Sequence, residues 1–139
     1  MQQLLFSSAL LLLSIAGQAQ GGSGDHEPAD TTEAREPKAK PKVLYGTASY
    51  YAEKFNGRKT ANGEVYDGGK FTAACNSLPL GTWIRVTNLS NNKSVVVKTN
   101  DRLHPRMTRV VDLSRAAAEK LGYIRKGLTK VKVEVLGRK

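Results

Sequence analysis

Asp101 closes the run Ser94-Val95-Val96-Val97-Lys98-Thr99-Asn100-Asp101-Arg102. A carboxylate at the mouth of a strand is rigidly held, and general acid–base chemistry needs that rigidity. The consecutive β-branched residues Val95, Val96 and Val97 predict a strand packed on both faces. Asn100-Asp101 then stops the run with turn formers, so the plainer alternative is an Asx turn in which Asp101 caps its own backbone. A second acid, Glu64, ends a loop that contains two tight-turn pairs, Asn56-Gly57 and Asn62-Gly63. The histidines His26 and His104 and the single cysteine Cys75 form no cluster at metal-ligand spacing, so no metal or cofactor is expected. Cys75 has no partner for an internal disulfide. It lies among Thr72, Ala73, Ala74 and Asn76 and reads as a small buried hydrophobe.

These residues need a scaffold, and short strands supply it. Strands are expected over residues 43–51, 71–75, 82–88, 95–99, 109–112 and 131–135. Gly46 in the first marks a bulge or a close backbone approach. The third and fourth are joined by residues 89–93 and form a hairpin. Tyr50 and Tyr51 alternate across the first strand, which sends one ring to the core and lets the other line a groove for sugar stacking. Trp83 reads as core or hairpin surface. One helix is expected over residues 115–121, capped by Ser114 or Asp112 and ended by Gly122. Six short strands and one helix predict a mainly β chain closed into a small barrel.

The rest of the 139-residue chain sets the context. Residues 4–15 are an apolar run too short to span a bilayer. Gly17-Gln18-Ala19 follows it with small residues where a signal peptidase cuts. Residues 1–19 are therefore expected to be a signal peptide, residues 20–41 a disordered linker and residues 42–139 the folded domain. No cysteine follows the leader, so an exported, periplasmic or envelope protein without a lipid anchor is expected. The domain carries 19 Lys plus Arg against 7 Asp plus Glu, a net charge of +12, within a chain of net charge +10. So basic a domain favours a polyanionic partner. Export argues against nucleic acid, and an anionic wall polymer or membrane surface satisfies both observations.

Several motifs occur in order and in spacing across residues 45–136. They are Gly46-Thr47-Ala48-Ser49-Tyr50-Tyr51, Phe55-Asn56-Gly57-Arg58, Thr60-Ala61-Asn62-Gly63-Glu64, Ala73-Ala74, Leu78-Pro79, Val86-Thr87-Asn88, Asn100-Asp101-Arg102, Asp112-Leu113-Ser114, Ala116-Ala117 and Leu121-Gly122. Together they resemble the rare-lipoprotein-A (RlpA) family of septal lytic transglycosylases. The resemblance implies a six-stranded double-psi β-barrel, shared with expansins and family 45 endoglucanases. It implies cleavage of MurNAc–GlcNAc bonds in peptide-poor peptidoglycan glycan strands to 1,6-anhydro products, without water. It places Asp101 at the catalytic acid, Glu64 at a second catalytic carboxylate in the same groove that orients the sugar or stabilises oxocarbenium-like charge, and Tyr51, Cys75, Asn100 and Arg102 along the substrate. It also marks a departure: many active relatives have a histidine where this chain has Cys75. A thiol supplies no cationic imidazole, and this departure keeps open a non-catalytic, expansin-like wall-binding module.

Overall fold

Apolar residues alternating along short strands close a wall of six. A computed structural model describes residues 40–138; the expected signal peptide, and the expected linker up to residue 39, lie outside the described residues. The elements are β1 (Val43–Tyr50), β2 (Thr72–Ala74), β3 (Thr82–Asn88), β4 (Ser94–Asp101), β5 (Val111–Leu113), α1 (Arg115–Leu121) and β6 (Thr129–Arg138), with a 3-10 turn at Glu53–Phe55. They join in the order β1-β5-β2-β4-β3-β6 and close on themselves. β1 runs parallel to β5, and β2 runs parallel to β4. Two parallel pairs among otherwise antiparallel neighbours require the chain to cross the barrel rather than meander round it. The fold is a mainly β, six-stranded double-psi barrel with one short helix.

Inward-facing residues fill the barrel. Ile84 and Val86 of β3, Val95 and Val97 of β4, Val111 and Leu113 of β5, and Val131 and Val133 of β6 are all buried. Leu121 of α1 joins the same core. One expectation needs correction here. β4 is not packed on both faces, because Val96 is 41 % exposed on the outer wall. A run of β-branched residues reports strand preference, whereas burial follows the alternation of a closed wall.

Local signals position the rest. The β3–β4 hairpin forms with a regular antiparallel register. Its turn holds Asn92 at φ 59°, the left-handed region that asparagine tolerates. Gly46 sits in an unbroken ladder with β6, so it is not a bulge. A Cβ there would meet Val110 Cβ at 2.9 Å, so the glycine permits close approach of the chain entering β5. Ser114, not Asp112, caps α1: its Oγ accepts from the Ala117 N–H at 3.4 Å. Gly122 ends the helix in the left-handed conformation.

Candidate active site

One row of residues crosses four neighbouring strands. Ser49 of β1 pairs with Asp112 of β5, Asp112 with Ala74 of β2, and Ala74 with Asp101 of β4. Strands spaced about 4.8 Å apart put the Asp101 and Asp112 Cα atoms about 10 Å apart. All four residues line one cavity of about 650 Å³. Ala74 contributes only a methyl group to this floor, which leaves the space over the middle of the row open.

A β-bulge aims Asp101 into that space. Ala73 pairs with Thr99, but Ala74 pairs with Asp101, so Asn100 is an extra residue in β4. Bulges bend a strand and redirect side chains beside functional sites. Asn100 therefore turns away from the row, and Asp101 takes its place. The Asp101 carboxylate accepts three hydrogen bonds. Its Oδ1 accepts from the backbone N–H of Ala61 at 2.9 Å and of Arg102 at 2.8 Å. Its Oδ2 accepts only from the Tyr51 hydroxyl, at 2.6 Å. Oδ1 thus has both lone pairs engaged, and Oδ2 keeps one for a proton or a substrate.

Tyr51 is held as firmly as the acid it contacts. Its ring stacks on Tyr66 with centroids 4.3 Å apart and meets the edge of Phe55 at 5.8 Å. Burial, and then the neighbouring Asp101, push the Tyr51 hydroxyl above the ordinary phenol range. It stays protonated and keeps donating to Asp101. One stacked contact with Tyr66 and a hydroxyl bonded to the acid suit Tyr51 to positioning Asp101. Tyr51→Phe keeps the stack and removes the donor. Its expected effect is a loss of about 10- to 100-fold in kcat with KM nearly unchanged, the size of a misoriented catalytic group. A rise in KM alone would instead make Tyr51 a substrate contact.

Glu64 and Asn100 lie together on the other side of the β4 terminus. Glu64 Oε2 accepts from Asn100 Nδ2 at 3.2 Å, and Oε1 accepts from Asn62 Nδ2 at 2.8 Å. These two bonds, Asn100's first, hold the Glu64 carboxyl below the ordinary carboxylate range, so it is ionised at neutral pH. The Asn62 N–H donates to the Asn100 carbonyl at 3.2 Å, which fastens the loop to β4. Glu64 is exposed and does not line the Asp101 cavity. It braces the loop whose Ala61 N–H reaches Asp101.

Arg102 lines the cavity, and its Nη1 also donates to the carbonyls of Cys75 and Leu78 at 2.5 and 2.6 Å. This straps the segment after β2 against the end of β4. Cys75 has no exposed surface, belongs to the hydrophobic core and does not line the cavity. Its backbone N–H, not its thiol, faces the site and donates to the Asp101 carbonyl at 3.1 Å. Of the six expected site residues, Asp101, Tyr51 and Arg102 therefore share the cavity. Asn100 and Glu64 flank it, and the Cys75 side chain lies in the core.

The cavity also contains groups that sequence reading did not place. Asp112 lines its floor in a two-pronged ion pair with Arg109, Nε to Oδ1 at 2.8 Å and Nη2 to Oδ2 at 3.1 Å. Arg109 and Asp112 are three residues apart, and that spacing was the available signal. Lys54 and Arg58 stand over the Phe55 ring, 5.5 and 5.1 Å from its centroid. With Lys59 they give the rim three cations, none of which forms an ion pair among the described residues. His104 lines the cavity too. Its Nδ1 accepts from the Arg106 N–H at 3.2 Å.

Comparisons with known proteins agree on the kind of domain this is. Residues 44–133 match the family described as lytic transglycolase. Over 91 residues the chain is 56% identical to the endolytic peptidoglycan transglycosylase RlpA of Pseudomonas aeruginosa, covering 66% of this chain and 27% of that protein. Over 89 residues it is 49% identical to the protein of the same name from Neisseria meningitidis, covering 64% of this chain and 37% of that one. The chain thus spans about a third of the length of these relatives. Among solved structures, a Streptomyces papain inhibitor superposes with a TM-score of 0.56 at 22% identity, covering 68% of this chain and 94% of that one. An expansin of Clavibacter michiganensis, solved with cellohexaose, superposes with a TM-score of 0.55 at 18% identity, covering 68% of this chain and 50% of that one. These two likenesses concern the fold.

Proposed function

The chain belongs to the lytic transglycolase family, and from that premise we propose that it is exported and that its barrel domain cleaves MurNAc–GlcNAc bonds of peptide-poor peptidoglycan strands to 1,6-anhydro ends. One observation carries the reading: a single carboxylate, Asp101, has one oxygen fully engaged and the other open to a cavity rimmed by cations. In its protonated form Asp101 gives the Oδ2 proton to the glycosidic oxygen as the bond from C1 to that oxygen breaks. The departing GlcNAc leaves as a free alcohol. The C6 hydroxyl of MurNAc then attacks C1, and Oδ2 takes the hydroxyl proton. The 1,6-anhydro ring closes, Asp101 is reprotonated, and no water is consumed. Such a cycle needs one carboxyl acting twice rather than an acid paired with a separate nucleophile. Asp112, bound to Arg109, is left to balance charge on the floor.

Lys54, Arg58 and Lys59 suit a glycan from which stem peptides have been removed, because each lactyl group then exposes a carboxylate. Attraction of this kind is screened by salt: the Debye length falls from about 30 Å at 0.01 M to about 3 Å at 1 M. Retention of the chain on peptide-stripped strands is therefore expected to fall steeply across that range. The Lys54→Ala, Arg58→Ala double variant should start lower and fall less. Retention indifferent to salt would remove the charge argument.

The direct test is mass spectrometry of peptide-stripped glycan strands incubated with the full chain. Anhydro-terminated fragments are the expected product. The absence of an imidazole at position 75 favours a second reading, a wall-binding module without catalysis. Under that reading the strands co-sediment with the chain and acquire no anhydro ends, and this result would overturn the first.

A further inference from the structure

A second depression, of about 530 Å³, lies on the outer wall away from the catalytic row. Trp83, Val96, Leu136, Gly137 and Arg138 line it. A β-bulge makes it. Ile84 pairs with Val135 but Trp83 pairs with Gly137, so Leu136 is the extra residue in β6. Gly137, at φ 129°, adopts a conformation that needs glycine, and a Cβ there would meet nothing within 4 Å. Opposite the indole there is consequently no side chain, and one side of Trp83 is left open. Lys98 Nζ stands over the ring, 5.8 Å from its centroid. Val96 and Leu136 are 41% and 46% exposed, an unusual position for two aliphatic side chains beside a tryptophan.

The charge around the depression is mainly positive. Lys98, Arg138 and the exposed Arg85 surround it, Arg85 being paired across the sheet with Val96. β3 has no acid. β4 has Asp101, which faces the catalytic cavity. β6 has Glu134, which pairs with Arg85 across the sheet and which Lys132 Nζ holds at 3.3 Å. We propose that this outer face of β3, β4 and β6 docks on an anionic phospholipid surface. An indole at headgroup level, aliphatic side chains below it and a ring of lysine and arginine are what such an interface binds. A saccharide is the poorer occupant, because Val96 and Leu136 have no group to hydrogen-bond its hydroxyls.

Trp83 is the only tryptophan in the chain, so its fluorescence reports on this face alone. The experiment titrates the full chain with vesicles of phosphatidylglycerol and phosphatidylethanolamine carrying brominated acyl chains, and separately with brominated phosphatidylcholine vesicles. The expected result is a blue shift and at least twofold quenching with the anionic vesicles and neither with the neutral ones. Arg138→Ala should weaken the anionic titration about fivefold, the share of one cation near such a surface. Leu136→Ser should remove the quenching. Both variants should release anhydro products at the parental rate, which separates this proposal from the catalytic one. Vesicle binding without quenching of Trp83, or a Trp83 shift produced by glycan strands and not by vesicles, would overturn it.

Discussion

Asp101→Asn is expected to lower the release of anhydro-terminated fragments by about 10³-fold or more while leaving strand binding intact. General acid–base groups contribute about 10²- to 10⁴-fold, and in the proposed cycle one carboxyl performs both proton transfers, which places the expected loss toward the upper end. The substitution leaves the local geometry in place. The amide oxygen can keep the two bonds from the N–H groups of Ala61 and Arg102 that now reach Oδ1. The amide nitrogen can donate to the Tyr51 oxygen, which changes from donor to acceptor. The variant should therefore fold, bind glycan and fail only in the reaction. The measurement is the yield of anhydro ends per unit time, alongside co-sedimentation of the same variant. Cleavage at the parental rate by the folded variant would take the acid–base role away from Asp101. Glu64→Gln tests the contrasting position. Glu64 supports the loop from outside the cavity, so a smaller loss is expected there, recovered in part because glutamine keeps one acceptor for Asn62.

The sequence made the strands legible and left the site only partly so. The β4 run follows from its β-branched residues, and the β3–β4 hairpin and the Ser114 and Gly122 caps of α1 follow from turn and capping chemistry, all of which are local. The row that carries Asp101 is not local. Ser49, Asp112, Ala74 and Asp101 come from four strands that are not consecutive along the chain, and their alignment depends on two parallel pairings. Nor does the sequence announce the bulge at Asn100. A regular β4 would set Asn100 opposite Ala74; the bulge exchanges the two side chains and separates Glu64 from Asp101. Cys75 shows the limit of matching positions by family: the position is adjacent to the site, but its side chain points into the core. Sequence alone leaves Ser114 and Asp112 as alternative caps of α1. Ser114 takes that role, and the Asp112 carboxylate is free to meet Arg109 on the cavity floor.

Asn88→Ala should be the most damaging of the conservative changes away from the site, lowering stability by about 3 kcal/mol. Asn88 ends β3 and is 2% exposed. Its Nδ2 donates to the Leu121 carbonyl at 2.9 Å, one of the last carbonyls of α1, which have no partner within the helix. Its Oδ1 accepts from the Ser90 N–H at 3.0 Å and from the Thr129 hydroxyl at 2.7 Å. One side chain thus ties α1 to β3 and reinforces the end of the β3–β6 ladder, where Asn88 pairs with Val131. Alanine removes all three bonds and leaves the buried Thr129 hydroxyl with only a long contact to Ser90 Oγ, at 3.4 Å. For a domain of this size, about 3 kcal/mol corresponds to a fall in Tm of about 10 to 20 °C. Asn91→Ala is the control. Asn91 Nδ2 also donates to the Leu121 carbonyl, at 2.8 Å, but Asn91 is exposed, and Asn88 still serves that carbonyl. Its cost should stay below about 1 kcal/mol. Urea titrations of the two variants decide the matter. Equal, small losses would mean that water replaces the Asn88 bonds and that the barrel closes without this tie. A large loss at Asn88 alone, with unchanged turnover below the melting transition, would show that the end of the barrel opposite the acid governs stability and leaves the chemistry alone.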